Sequence, residues 1–180
     1  MPELPEVETI KRGLAEVLPG KKIASFRVSL PKMYQPSPKA PKRLTGRTVR
    51  SVNRRGKVLL LGLDRDLTLL IHLKMTGQLI FREPARIKGA KASKVVLAGG
   101  HPIPAIGPDQ MVLPGKVTHA TLTFDDGSQL FYNDLRQFGY LKLYRNEELA
   151  DVPILKTFGP EPLEPGFTQN AFEERLTDKL

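Results

Sequence analysis

The chain has 180 residues, 40% of them hydrophobic, enough for one domain with a substantial core or for one domain and the start of another. A formal net charge of +9 draws its surface toward polyanions, of which nucleic acid is the commonest partner of a basic soluble protein. The absence of cysteine excludes disulfides and thiolate zinc sites within these residues. His72, His101 and His119 form no i, i+4 ligand pair, so no metal site is expected. The N-terminus lacks a basic segment followed by an apolar one, and no run reaches the ~18 apolar residues of a membrane span, so a soluble, cytoplasmic protein is expected.

From Pro5 to Leu18 the apolar residues Val7, Ile10, Leu14 and Val17 recur three and four apart, the stripe of a helix packed on a core. Pro5 suits its first turn, Glu6 and Glu8 suit the positive end of its dipole, and Pro19-Gly20 ends it. The first residues therefore lie directly before a fixed element. The pattern then changes to short β-type runs: Lys22 to Leu30, Thr48 to Asn53, Lys57 to Leu63, Leu67 to Leu73, Gln78 to Phe81, Thr118 to Phe124, Gln129 to Asn133 and Tyr140 to Tyr144. Asp125-Asp126-Gly127 separates two of them as a hairpin turn. Pro31 to Pro41, rich in Pro and Lys, reads as a loop, and Glu83 to Lys116 as an insertion with at most one short strand around Val95 to Leu97.

These elements predict a mainly β fold with flanking α: a two-layered antiparallel β-sandwich with an N-terminal helix, followed by the start of a C-terminal helical domain. The sandwich is expected over residues 1–145, with 83–116 as its insertion loop, and a linker over 146–165 that includes Phe158-Gly159-Pro160-Glu161-Pro162. Thr168 is placed to cap a last helix with Phe172 and Leu176 on one face. A short helix with one apolar face and no partner is marginal, so 166–180 reads as the beginning of a truncated second domain.

The opening Met1-Pro2-Glu3-Leu4-Pro5-Glu6-Val7-Glu8-Thr9 holds the most chemistry. Met before Pro is normally trimmed, which leaves Pro2 with a terminal secondary amine. Such an amine attacks an electrophilic carbon and collapses to an iminium, an electron sink for later eliminations. Its ordinary pKa is ~8, so a modest environmental shift would supply the neutral nucleophile at physiological pH. The carboxylates of Glu3 and Glu6 stand near enough in sequence to exchange protons with a reacting sugar. The same residues also suit a plain helix start, and residue chemistry alone favours that second reading.

PELPEVET at the extreme N-terminus resembles the signature of the formamidopyrimidine-DNA glycosylase family, and its purine-lesion branch more than the endonuclease VIII branch, which opens PEGPE. The resemblance implies that Pro2 is the catalytic nucleophile, Glu3 a proton donor or shuttle, and Glu6 a support for the helix and amine. Three further segments resemble the family in the same order. Arg54-Arg55-Gly56-Lys57, ahead of Val58-Leu59-Leu60-Leu61, places Lys57 where the family has a functional lysine on a hairpin near the lesion and its phosphate. Ile71-His72-Leu73-Lys74-Met75-Thr76-Gly77 is similar to the HLxMTG element, which implies that His72 approaches a DNA phosphate and Met75 enters the duplex. Without the resemblance, His72 is a buried, hydrogen-bonded histidine and Met75 a core filler. Asn133-Asp134-Leu135-Arg136-Gln137-Phe138-Gly139 is similar to the DxRxFG loop, with Arg136 bonding the orphaned base and Phe138 wedging between base pairs. The residue types suit these tasks: a planar donor fork reads a base edge, and flexible or aromatic apolar groups fill the gap left by a flipped nucleotide.

The resemblance thus implies a bifunctional DNA glycosylase and AP lyase of base excision repair. It would excise 8-oxoguanine and formamidopyrimidines through a Pro2 Schiff base with β,δ-elimination, acting as a monomer on damaged double-stranded DNA in the cytoplasm at the nucleoid, without a membrane. No cofactor or catalytic metal is implied within this chain. The family's helix-two-turn-helix segment and four-cysteine zinc finger, with one structural zinc, follow its catalytic domain, and neither is complete here. The chain also departs from the family in having Gln137 where a second basic residue is common, and in the length of the 83–116 insertion, read as a surface loop although Lys88, Lys91 and Lys94 could touch DNA. The alternative is a damaged-DNA-binding fragment without turnover, since lost phosphate contacts weaken binding steeply at physiological salt. A basic RNA-binding sandwich is disfavoured, because aromatics make up only 7% of the chain and form no cluster of the kind that RNA readers display.

Overall fold

The structure, a computed structural model, describes residues 2–84, 95–100 and 112–177. Lys88, Lys91, Lys94 and His101 lie outside the described residues, so the DNA contacts considered for the insertion do too. Helix α1 (Leu4–Val17) is followed by strands β1 (Ile23–Val28), β2 (Tyr34–Pro36), β3 (Val49–Arg55), β4 (Val58–Leu63), β5 (Leu67–His72), β6 (Gly77–Arg82), β7 (Val95–Gly100), β8 (Thr118–Phe124), β9 (Gln129–Asp134) and β10 (Tyr140–Arg145). A 3-10 segment (Asn146–Asp151) and helices α2 (Pro153–Lys156) and α3 (Gln169–Thr177) complete the described chain. None of the described helices is long and apolar enough to cross a membrane.

Two five-stranded sheets, β1-β8-β9-β6-β7 and β2-β10-β5-β4-β3, pack face to face. Alternation decides which side chains lie between them: Leu59, Leu61 and Leu63 of β4, Leu67, Leu69 and Ile71 of β5, Leu79 and Phe81 of β6, and Leu130 and Tyr132 of β9 all join one buried core. The outer strands β7 and β3 would expose open edges on one side of the sandwich. Helix α1 packs on both and closes that side, burying Val7, Ile10 and Leu14. On the opposite side Phe26 of β1 meets Tyr34 of β2 edge to face, ring centroids 4.8 Å apart.

The pairing departs from the expected all-antiparallel sheets at one place. β2, within the stretch expected to be a loop, runs parallel to β10, pairing Tyr34 with Leu141 and Pro36 with Leu143. It is a short edge strand, where a proline that donates no hydrogen bond is tolerated, and that proline is what disguised it. Among the described residues the insertion supplies strand β7, longer than the three residues expected. Residues expected to form a linker lie on the outer face of the second sheet: Val152, Ile154, Leu155 and Phe158 cover Val58, Leu60, Leu70 and Tyr140. With this cover on Leu70, Asn146 bonded to Thr68 and Tyr140 against His72, β5 is buried at all six positions rather than at alternate ones.

Candidate functional site

Strand register brings the separate motifs to one end of the sandwich. His72, the last residue of β5, lies opposite Val58 at the start of β4 and Tyr140 at the start of β10. Gly77, the first residue of β6, lies opposite Asp134, the last of β9. The β3–β4 turn with Lys57, the β5–β6 turn with Met75 and the β9–β10 loop with Arg136 and Phe138 are therefore neighbours, although up to about 80 residues separate them in sequence.

The N-terminus of α1 reaches the same end. Pro2 is buried directly before the helix, and the Glu3 carboxylate forms an ion pair with the Lys57 ammonium. Glu6 accepts a hydrogen bond from the Glu3 backbone N–H at 3.0 Å, one of the four donors that a helix start leaves unpaired. This bond fixes the direction in which residues 2 and 3 leave the helix. Glu3 and Lys57 are thus brought together, with Pro2 next to Glu3 in the chain and Glu6 bonded to the Glu3 N–H.

Lys57 owes its place to the turn. Gly56 adopts φ +54°, and Phe158 sits where a side chain at that position would lie, with a Cβ only 2.6 Å from its ring. Arg54, nearly inaccessible, donates to Glu8 of α1 at 2.8 Å, to Glu161 at 2.6 Å and to the Gly56 carbonyl at 2.9 Å. Glu161 also accepts from the Gly56 N–H. Burial alone would lower the Arg54 pKa, but its bonds to Glu8 and Glu161 raise it. Burial likewise opposes the charged form of Glu8, yet Arg54 and Arg12 hold its pKa below the ordinary carboxylate range. Nothing in the spacing of residues 8, 54 and 161 signals this charged network in the sequence.

His72 is mostly buried, with its ring centroid 5.6 Å from that of Tyr140. Burial first, then the charges of Lys74 and Lys57, push its pKa down to about 4. Its Nδ1 accepts from the Lys74 backbone N–H at 3.1 Å, so the neutral ring carries its proton on Nε2. Lys74 and Lys142 flank the Tyr140 ring at 6.0 and 5.0 Å from its centroid. This end of the sandwich therefore collects Lys57, Lys74, Lys142 and Arg136 with Glu3 as a counter-charge.

Met75 is half-buried in its turn, whereas Arg136 and Phe138 are exposed, and the guanidinium lies 4.8 Å from the Phe138 ring centroid. Leu135 beside them is 68% exposed, a large apolar group in water that the sequence reading did not single out. Asp134, read only as part of a motif, is completely buried beneath the loop. Gly139 makes that burial possible: a Cβ there would stand 1.8 Å from the Tyr132 hydroxyl and 2.7 Å from the His72 carbonyl oxygen. Among the described residues no group of three or more His, Asp or Glu side chains gathers to hold a metal ion.

The model of the formamidopyrimidine-DNA glycosylase N-terminal domain matches residues 1–141. The formamidopyrimidine-DNA glycosylase of Chloroflexus aurantiacus is 38% identical over 181 residues, covering 99% of this chain and 55% of the relative. That of Heliobacterium modesticaldum is 39% identical, with 98% of this chain and 58% of the relative covered. Among solved structures, Lactococcus lactis Fpg in complex with DNA containing an abasic site superposes with a TM-score of 0.72 at 30% identity, over 97% of this chain and 56% of that one. The same enzyme with DNA containing an N7-benzyl-Fapy-dG lesion gives 0.71 at 31% identity, over 97% and 55%. The chain thus spans a little over half the length of these proteins.

Proposed function

Since the chain belongs to the formamidopyrimidine-DNA glycosylase family, we propose that it is a base-excision enzyme for oxidised purines, 8-oxoguanine and its ring-opened formamidopyrimidine, in duplex DNA, with the amine of Pro2 as nucleophile. The observation that carries this reading is the ion pair of Lys57 with Glu3, the residue after Pro2, at the end of the sandwich that also presents Met75, Arg136 and Phe138.

In the proposed reaction Met1 is first removed. The DNA kinks and the damaged nucleotide rotates out of the stack, which costs a few kcal/mol that the inserted side chains and phosphate contacts must offset. Met75 and Phe138 occupy the gap and Arg136 bonds the orphaned base. The Pro2 nitrogen forms a bond to C1′ as the glycosidic bond breaks, and the base leaves with a proton. The Glu3 carboxylate takes the proton shed by the Pro2 nitrogen and passes it to the sugar ring oxygen, the ring opens, and the nitrogen lone pair closes an iminium with C1′. Loss of a C2′ proton expels the 3′ phosphate, a second elimination expels the 5′ phosphate, and water returns the free amine. Lys57 stabilises phosphate or lesion charge, and neutral His72 presents its Nε2–H to a phosphate oxygen. Glu6 keeps the amine's approach fixed through its bond to Glu3.

Borohydride trapping of the Met1-trimmed chain on duplexes carrying 8-oxoguanine or an abasic site tests this. A covalent adduct is expected, and Pro2→Gly should reduce it by at least about a hundredfold, the scale expected for loss of a nucleophile. Binding to the damaged duplex without any adduct would instead favour the reading of a recognition fragment without turnover.

A further inference from the structure

Asp134 ends β9 completely buried, and no cation pairs with it among the described residues. A carboxylate in that position is stable only if its oxygens are filled by donors. The donors come from both loops that would enter the duplex. Oδ1 accepts the Thr76 hydroxyl, from the turn that carries Met75, and the Arg136 backbone N–H at 3.2 Å. Oδ2 accepts the Gly139 N–H at 2.7 Å and faces the Tyr132 hydroxyl at 3.5 Å. Thr76 completes the link, its hydroxyl oxygen accepting from the same Arg136 N–H at 2.9 Å.

The Arg136–Phe138 loop needs such support. Gln137 sits at φ +58°, a left-handed conformation that costs energy for a residue with a side chain, so local preference alone does not produce this shape. The Gly139 N–H on one side and the Arg136 N–H on the other are both anchored to one carboxylate, which holds the loop closed across that residue.

We propose that Asp134 is a positioning residue that joins the Met75 turn and the Arg136–Phe138 loop into one unit, so that the three side chains enter the duplex in a fixed mutual arrangement. This rests on the base-excision reading above. A carboxylate is the group that suits the task, because it accepts on both oxygens. An asparagine in either orientation would turn an NH2 toward an N–H or hydroxyl donor.

The experiment compares Asp134→Asn, Thr76→Val and Thr76→Ser with the parent chain, each checked for folding by circular dichroism. Borohydride trapping is measured on an abasic site in a duplex, where the gap must be filled, and on an abasic site in a single strand, where there is no gap and no opposing base. Asp134→Asn and Thr76→Val should lower the duplex rate at least tenfold more than the single-strand rate, and Thr76→Ser, which keeps the hydroxyl, should restore the parent ratio. A role confined to stability would lower both rates together, and that result, or an unchanged ratio in folded variants, would overturn the proposal. A parent chain that forms no adduct on either substrate would instead overturn the base-excision reading and this proposal with it.

Discussion

At the scale of single residues, His72 shows how position sets chemistry. A histidine in water is partly protonated near neutrality, and a cation would be the obvious group to meet a phosphate. Here burial and two neighbouring lysines keep the ring neutral, so in the proposed complex it would act as a directed hydrogen-bond donor while Lys57, Lys74 and Lys142 would supply the positive field. The expected outcome is a ring that titrates near 4 rather than 6.5, with the Nε2–H tautomer at pH 7, read from nitrogen chemical shifts. Adding duplex DNA should raise that pKa, since an approaching phosphate favours the cation. A free-protein titration near 6.5 would show that the ring is solvated and the argument wrong.

At the scale of elements, the β3–β4 hairpin is held from two directions. Helix α1 reaches Arg54 through Glu8, and the segment after β10 reaches both Arg54 and the Gly56 N–H through Glu161 while Phe158 covers the turn. Removing one partner of a buried ion pair leaves a charge without compensation, so Glu161→Ala should cost about 3 kcal/mol in urea unfolding. Glu161→Gln should cost less, because its amide oxygen can still accept from the Gly56 N–H. Equal losses in the two variants would show that the charge, and not the bond to the turn, is what matters. The hairpin's lysine thus depends on residues more than a hundred positions downstream.

At the scale of the whole molecule, stability should fall in two steps on acidification. The His72 pKa is depressed on folding, so the folded state binds fewer protons than the unfolded chain between about 6.5 and 4. Its contribution is therefore complete above about 6.5 and is lost as pH falls toward 4, on the order of 3 kcal/mol. Asp126 then follows. Burial opposes its charged form, but Lys21 and Ser128 hold its pKa down to about 2, so its contribution is present above about 4 and is lost as pH falls through 2. Melting temperature against pH should show both steps, and His72→Gln should remove the first and leave the second. A single step below pH 4 in the parent protein would mean that His72 is not buried as described.

Much of this protein is decided by local pattern. The apolar stripe from Val7 to Leu14 makes α1, and alternation places Thr118–Phe124 as β8 with the same ends as expected. Asp125-Asp126-Gly127 turns the chain back, with Gly127 at φ +81°. These features depend on neighbours within a few residues, so they can be read from the order of residue types. The candidate side chains Pro2, Glu3, Lys57, His72, Met75, Arg136 and Phe138 stand out in the sequence only because their motifs occur in a familiar order, and their roles remain part of the proposal. Folding alone decided the rest. Strand register, not spacing, brings those motifs to one end, and the burial of Arg54 and Asp134 follows from contacts across the fold. The ionisation of His72 depends on Lys57 and on the depth of β5. A side chain's charge state and bonding capacity answer to whatever the chain brings within a few ångströms, and that proximity is a property of the packed sheets, not of the sequence interval between residues.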